Sequence, residues 1–235
     1  MMAENYRQVE ARVAAACERA GRSRDEVTLV AVSKTKPPEM IRELMEIGVR
    51  DFGENKVQDL CRKMEEIPGE NHWHFIGGLQ RNKVKYLVGS PVCLIHSVDS
   101  VKLAETIQKE AEKKNVTVPV LLEINIGGEE TKGGVAPEEA RALLCEAAAF
   151  DRVKVRGLMT IAPPGDEEAN RPYFRRMREL RDELAALNLP GVEMKELSMG
   201  MTHDFETAIS EGATIVRVGT AIFGERPHGM PEWKP

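Results

Sequence analysis

Short apolar runs alternate with amphipathic segments along the whole chain. Eight runs have the length and composition of strands, and a segment with helical spacing of apolar positions follows each of them. The predicted strands are 28–34, 49–53, 72–76, 92–96, 118–126, 153–159, 193–197 and 214–218. The predicted helices are 38–47, 54–66, 80–88, 100–114, 137–150, 167–187 and 203–211, with a closing turn at 221–223. A further amphipathic helix over 4–20 precedes the first strand.

Eight strands that alternate with eight helical segments predict an α/β fold. The expected architecture is a single (β/α)8 barrel of the TIM type, preceded by an N-terminal helix. No linker, repeat or low-complexity stretch interrupts the alternation, and 235 residues suit one barrel. We therefore predict one domain, a barrel domain over 1–235.

Composition and charge narrow the class of protein. The formal net charge is −5, which argues against a nucleic-acid partner, because such partners select basic surfaces. The first residues carry no secretory apolar segment, and no apolar run is long enough to cross a bilayer. The four cysteines, Cys17, Cys61, Cys93 and Cys145, form no metal or redox motif, so we expect reduced thiols in a cytoplasmic protein without a membrane or nucleic-acid partner.

The first predicted strand is the stretch around which the candidate site is organised. Its near-continuous apolar run is typical of a strand buried on both faces of a parallel sheet, and Lys34 stands at its carboxyl end. Burial lowers the pKa of a lysine towards the range in which the amine is nucleophilic, which suits a Schiff base with an aldehyde. The alternative is a lysine that reaches solvent from the end of the strand.

The other strand ends supply further candidate residues, since barrel enzymes place their working groups there. They are Asn55, His74, His96, Glu123, Asn125, Met159, Ser198, Met199, Arg217, Gly219 and Thr220. Two turns rich in small residues, 198–202 and 219–220, follow strands seven and eight, where barrels often bind phosphate. Glycine lets backbone N–H groups approach an anion.

Arg217 occupies an inward position on the eighth strand. A guanidinium does not lose its proton at neutral pH, so beside a pyridine ring nitrogen it would keep that nitrogen unprotonated. A salt bridge inside the barrel is the equally simple alternative at this point.

Two histidines in the third strand are candidate metal ligands. His72 and His74 share one face of the strand, so both rings could contact one ion. A metal-dependent barrel hydrolase also needs a carboxylate on the eighth strand, where this chain has Arg217, so we predict no metal. Nucleotide-binding fingerprints are absent from the sequence.

Several motifs closely resemble those of the pyridoxal phosphate homeostasis protein family (YggS type), over nearly the whole chain. They are AVSKTK at 31–36, FGEN at 52–55, WHFIG at 73–77, RGLM at 156–159, LSMGM at 197–201 and VRVGTAIFG at 216–224. The resemblance implies a barrel similar to the N-terminal domain of alanine racemase, with pyridoxal 5'-phosphate as the cofactor.

The resemblance also implies roles for particular residues. Lys34 matches the lysine that forms the Schiff base, and Arg217 matches the arginine that faces the pyridine nitrogen. The positions that hold the phosphate match Ser198, Met199, Gly219 and Thr220. The residues Asn55, His74 and Met159 match positions that line the same mouth. The sequence departs from the family pattern at 202–204, so His203 receives no role from it, and neither does the tail after Gly224.

Two functions are compatible with this resemblance. One is a cofactor carrier or regulator without catalysis, which holds and delivers pyridoxal phosphate to apo enzymes and balances amino-acid and keto-acid pools. The other is a racemase or another amino-acid enzyme. Two-base racemisation needs a group on each face of the substrate, whereas Tyr6, Tyr86 and Tyr173 all lie on predicted helices and the chain ends where the barrel ends. We therefore predict a non-catalytic carrier, and a monomer.

Overall fold

The computed structural model describes residues 1–225. Within them, eight parallel strands form a closed barrel in chain order, which confirms the predicted (β/α)8 architecture and its N-terminal helix. The predicted domain, 1–235, extends beyond the described residues at 226–235. No helix within 1–225 is long and apolar enough to span a membrane.

The strands are short and highly buried. They are β1 (Thr28–Val32), β2 (Asp51–Glu54), β3 (His72–Phe75), β4 (Val92–Val98), β5 (Val118–Glu123), β6 (Val153–Met159), β7 (Glu196–Ser198) and β8 (Ile215–Val218). The barrel closes where β1 pairs with β8, with Val30 beside Arg217. Because every strand is parallel, all eight carboxyl ends open on the same rim.

Helices surround the barrel. They are α1 (Met2–Arg19), α2 (Pro38–Glu46), α3 (Val57–Glu66), α4 (Val84–Leu87), α5 (Val101–Lys114), α6 (Ala140–Ala148), α7 (Arg171–Ala185), α8 (Phe205–Ser210) and α9 (Thr220–Phe223). Short 3₁₀ turns lie at Arg24–Glu26, Arg81–Lys83 and Pro137–Glu139. The last two occupy the first part of predicted helices, so those two helices are shorter than expected.

Side-chain alternation divides the core into an outer and an inner part. The larger cluster fills the layer between sheet and helices. The inner apolar cluster is small and consists of Val30, Leu94, Leu121, Met159 and Ile215. The rest of the barrel interior is occupied largely by polar side chains, which is unusual for a layer that branched apolar residues normally fill.

Candidate functional site

A cavity of about 540 Å³ opens at the carboxyl ends of the strands. Its charged lining, among the described residues, consists of the cations Lys34, Lys36, Lys132 and Arg217 and the carboxylates Asp99 and Glu123, with His203 beside them. Five of the nine predicted site residues contribute to it, namely Lys34, Asn55, Arg217, Gly219 and Thr220. We call this space the mouth cavity.

Lys34 lies on the turn that follows β1 and lines the mouth cavity. Of the two arrangements that the sequence leaves open for this residue, the structure has the solvent-exposed one. The strand ends at Val32, two residues earlier than predicted. The next residue, Thr35, has a φ of 63°, a left-handed conformation that a β-branched residue rarely adopts. Backbone strain of this kind is concentrated at functional sites.

A buried ion pair supports the Lys34 turn from below. Lys63 on α3 pairs with Glu54 at the end of β2, and their side chains are 1% and 0% exposed. The Ser33 hydroxyl donates to Glu54 Oε1 over 2.8 Å, and Lys63 Nζ donates to the Ser33 carbonyl over 2.8 Å. These bonds fix the residue that directly precedes Lys34.

Asn55 reaches the mouth cavity because the loops after β2 and β3 touch there. A Cβ atom on Gly77 would lie 2.1 Å from the Asn55 carbonyl oxygen, so only glycine permits this approach.

Arg217 is buried in the barrel, with 4% of its surface exposed, and it also lines the mouth cavity. Its Nη1 donates to Ser198 Oγ over 2.6 Å, and its Nη2 donates to the Thr160 carbonyl over 2.8 Å. Burial lowers the pKa of Arg217 to about 10, against the effect of Asp204 and Glu123, so the side chain remains a cation at neutral pH. The sequence also allowed a salt bridge for Arg217. These two acceptors, a hydroxyl and a backbone carbonyl, are neutral instead.

Two loops bring small residues and hydroxyls to the rim. After β8, Gly219 and Thr220 begin α9 and line the mouth cavity. After β7, Gly200 has a φ of 96°, and a Cβ there would lie 2.6 Å from Ala208 Cβ, so the tight turn requires glycine. That turn places Thr202 on the cavity wall.

Four of the nine predicted site residues do not line the mouth cavity, namely Met199, Met159, Ser198 and His74. The Met199 side chain points outward and is buried in the layer between sheet and helices. Met159 is part of the inner apolar cluster. Ser198 is fully buried, and its hydroxyl is engaged by Arg217 and by His96 Nδ1, which is 2.8 Å away.

His74 is not at the mouth, so its expected placement there is wrong. It lines a smaller cavity of about 290 Å³, which lies where the strands begin. Its Nε2 is 3.1 Å from Asp51 Oδ1, and its Nδ1 is 2.9 Å from His96 Nε2. The exposed His72 contacts the same oxygen of Asp51 over 3.2 Å, which agrees with the expectation that the two histidines share a face.

Glu123 and His96 are candidate residues at strand ends to which the sequence assigns no role. Glu123 ends β5 and lines the mouth cavity, where burial and the nearby Asp99 raise its pKa to about 7 and Arg217 opposes them. His96 is fully buried. Their inward positions on the strands mark both residues as possible site residues. The charged or polar neighbours of each are visible only in the structure. No cluster of three or more potential metal ligands occurs within 1–225.

Comparison with known proteins places this geometry in a family. Residues 4–227 match the family model described as alanine racemase, N-terminal domain. A curated relative from Aquifex aeolicus, the pyridoxal phosphate homeostasis protein, is 52% identical over 227 residues, which are 96% of this chain and 98% of the relative. The chain belongs to the pyridoxal phosphate homeostasis protein family.

Solved structures agree with this assignment. PipY of Synechococcus elongatus, solved with pyridoxal phosphate bound, is 35% identical and superposes with a TM-score of 0.82 over 95% of this chain and all of PipY. Alanine racemase from Clostridium difficile shares the fold at 15% identity, with a TM-score of 0.73 over 96% of this chain and 58% of the racemase. The full-length family relationship confirms the resemblance that the sequence motifs suggested.

Proposed function

We propose that this chain binds pyridoxal 5'-phosphate in the mouth cavity and acts in the homeostasis of that cofactor. The observation that carries the proposal is that Lys34 and Arg217 line the same cavity, in a chain whose relative PipY was solved with this cofactor. Pyridoxal phosphate supplies an electrophilic aldehyde carbon to which an amine can bond.

The residues of the mouth cavity fit the three polar parts of this cofactor. Lys34 supplies the amine for the aldehyde. Arg217 supplies a fixed cation, which can donate to a ring nitrogen but cannot transfer a proton to it at neutral pH. The N–H groups of Thr220 and Ala221 precede the first backbone bonds of α9, which run from Ile222 and Phe223 to the Gly219 carbonyl, so a phosphate beside the Gly219 turn can accept from them.

We assign the remaining predicted residues according to their placement. Asn55 contacts the ligand directly from the wall of the cavity. Ser198 acts through Arg217, because its hydroxyl is already engaged beneath the guanidinium. Met159 and Met199 shape the walls from inside the two apolar clusters.

We further propose that the chain stores and delivers the cofactor without efficient turnover of amino acids. A cation at the ring nitrogen makes the ring a poorer electron sink for a carbanion. None of the three tyrosines, Tyr6, Tyr86 and Tyr173, lines the mouth cavity, so none supplies the second acid–base group that racemisation requires. The alternative is a weak amino-acid enzyme that uses another group of the mouth.

Transfer and turnover can be measured on the same preparation. Protein loaded with pyridoxal phosphate and freed of excess ligand is mixed with an apo enzyme that needs this cofactor, and recovery of that enzyme's activity is followed. A second sample receives L-alanine, and its chirality and keto-acid content are followed. We expect transfer with negligible turnover. Turnover in the ordinary range of about 1–10³ s⁻¹ would replace the carrier by an enzyme.

A further inference from the structure

A continuous line of hydrogen-bonding side chains crosses the inside of the barrel. It starts at Asp51, the first residue of β2, and passes through His74 on β3 and His96 on β4 to Ser198 and Arg217. The successive distances are 3.1, 2.9, 2.8 and 2.6 Å. The line connects the smaller cavity where the strands begin, lined by Asp51 and His74, to the mouth cavity, lined by Arg217.

The two ends of this line have fixed roles. Arg217 can only donate, so Ser198 Oγ accepts from it. At the other end Asp51 as a carboxylate can only accept, so His74 donates from Nε2–H. Burial would raise the pKa of Asp51, but the hydrogen bonds with His74 and His72 outweigh it and lower that pKa, which keeps the carboxylate ionised.

The interior links follow when His74 carries a single ring proton. Its Nε2 then holds that proton and its Nδ1 accepts, so His96 donates from Nε2–H. Burial, with the positive charge of Arg217 nearby, lowers the pKa of His96 well below its usual value, so this ring is neutral. A neutral His96 then accepts at Nδ1 from the Ser198 hydroxyl. In this arrangement every donor in the line meets one acceptor, and both rings are Nε2–H tautomers.

We propose that this line is a polarised relay in which Asp51, from the opposite end of the barrel, positions Arg217 for the ligand in the mouth cavity. Hydrogen bonds aligned head to tail polarise one another, so the carboxylate at one end stabilises the guanidinium at the other. Because the Ser198 hydroxyl donates its only proton to His96, its oxygen lone pairs are left to accept from Arg217 Nη1. Asp51 is thus a positioning residue of a site that it does not touch.

The relay can be tested before any ligand is added, although its role in binding rests on the proposed function. Nitrogen-15 NMR of the imidazole rings in the full chain distinguishes Nε2–H from Nδ1–H tautomers. We expect both His74 and His96 to be Nε2–H, and Asp51→Leu to produce a mixture of tautomers at His74. Nδ1–H at His96, or protons on both ring nitrogens of His74, would break the head-to-tail order of the line and overturn the proposal.

The effect on the mouth is measured as affinity for pyridoxal phosphate by absorption titration. Asp51→Leu should weaken binding about three- to tenfold, within the range of couplings carried by contiguous networks. His72→Gln is the matched control, because it removes the other contact of Asp51 Oδ1 while leaving the relay complete. That variant should bind as the unmodified chain does.

A double-mutant cycle separates the relay from general destabilisation. If the influence of Asp51 passes through Ser198, then Asp51→Leu should change the affinity of the Ser198→Ala variant by less than twofold. Full additivity of the two substitutions would overturn the relay. A chain that binds no pyridoxal phosphate at all would contradict the proposed function, while the tautomer measurement on the unliganded protein would still decide the direction of the relay.

Discussion

Glu123 is the carboxyl group of the mouth whose charge is most sensitive to pH near neutrality. Burial and Asp99 raise its pKa from 4.5 to about 7, while Arg217 draws it down. The folded chain therefore holds this proton between about pH 4.5 and 7, whereas the unfolded chain releases it. The contribution to stability is fully present below about pH 4.5 and is lost as pH rises towards 7.

This linkage predicts the effect of Glu123→Gln. Urea unfolding of the unmodified chain between about pH 5 and pH 8 should show a loss of stability on the order of 2–3 kcal/mol that the variant does not show. Glu105→Gln is the control, because the Glu105 side chain lies at the surface, in an ion pair with Lys109. Parallel pH profiles for Glu123→Gln and the unmodified chain would show that Glu123 titrates normally.

At the residue scale, the sequence predicts which face of a strand a side chain occupies. It does not predict which end of the barrel that side chain approaches. The period of two in β3 correctly places His72 and His74 on one face of the strand, where both contact Asp51. Which end of the barrel His74 approaches depends on the stagger between strands, which is a property of the closed sheet. For Lys34 the apolar run leaves burial and exposure both open, and the structure shows an exposed residue on the turn before Thr35, in the lining of the mouth cavity.

At the scale of elements, the junction of β1, β2 and α3 depends on the pair of Glu54 and Lys63. Lys63→Met removes one partner and leaves a carboxyl that is 0% exposed. We expect a loss of about 3–5 kcal/mol in the free energy of unfolding, the usual cost of breaking a buried pair. The combined change Glu54→Gln with Lys63→Met should cost less than Lys63→Met alone, since no unpaired charge remains.

The control for this pair is Lys109→Met, which breaks the exposed pair with Glu105 and should change stability by less than about 1 kcal/mol. Unfolding in urea measures all three variants. A loss for Lys63→Met no larger than that of the control would show that the buried pair is not needed, and would remove the proposed support beneath Lys34.

Element order and type were predictable, and boundaries were less so. The sixth strand has the predicted bounds, Val153–Met159. The helix expected over 203–211 begins instead at Phe205, because Asp204 Oδ1 accepts from the Met201 backbone N–H and holds the preceding turn. Hydrogen bonds of this kind, from the backbone to a side chain, compete with helix formation. They depend on the conformation of the local loop, which the pattern of apolar positions does not predict.

At the scale of the whole molecule, the barrel combines an apolar shell with a partly polar interior. The apolar pattern predicts the shell, because each helix and strand must bury one face. It does not predict that His74, His96, Ser198 and Arg217 meet inside the barrel, since they come from four separate strands. The hydrogen-bonded line through these residues joins the two ends of the barrel, and Arg217, at one end of the line, lines the mouth cavity.

In the proposed complex Lys34 holds pyridoxal phosphate in the mouth cavity. The most direct test is to load the protein with the cofactor, reduce it with borohydride, and locate the resulting pyridoxyl group by peptide mass analysis. We predict a single pyridoxyl group on Lys34, its loss in Lys34→Ala, and its retention in Lys36→Arg. A pyridoxyl group found on Lys36, Lys132 or a surface lysine, with Lys34 unmodified, would contradict the account.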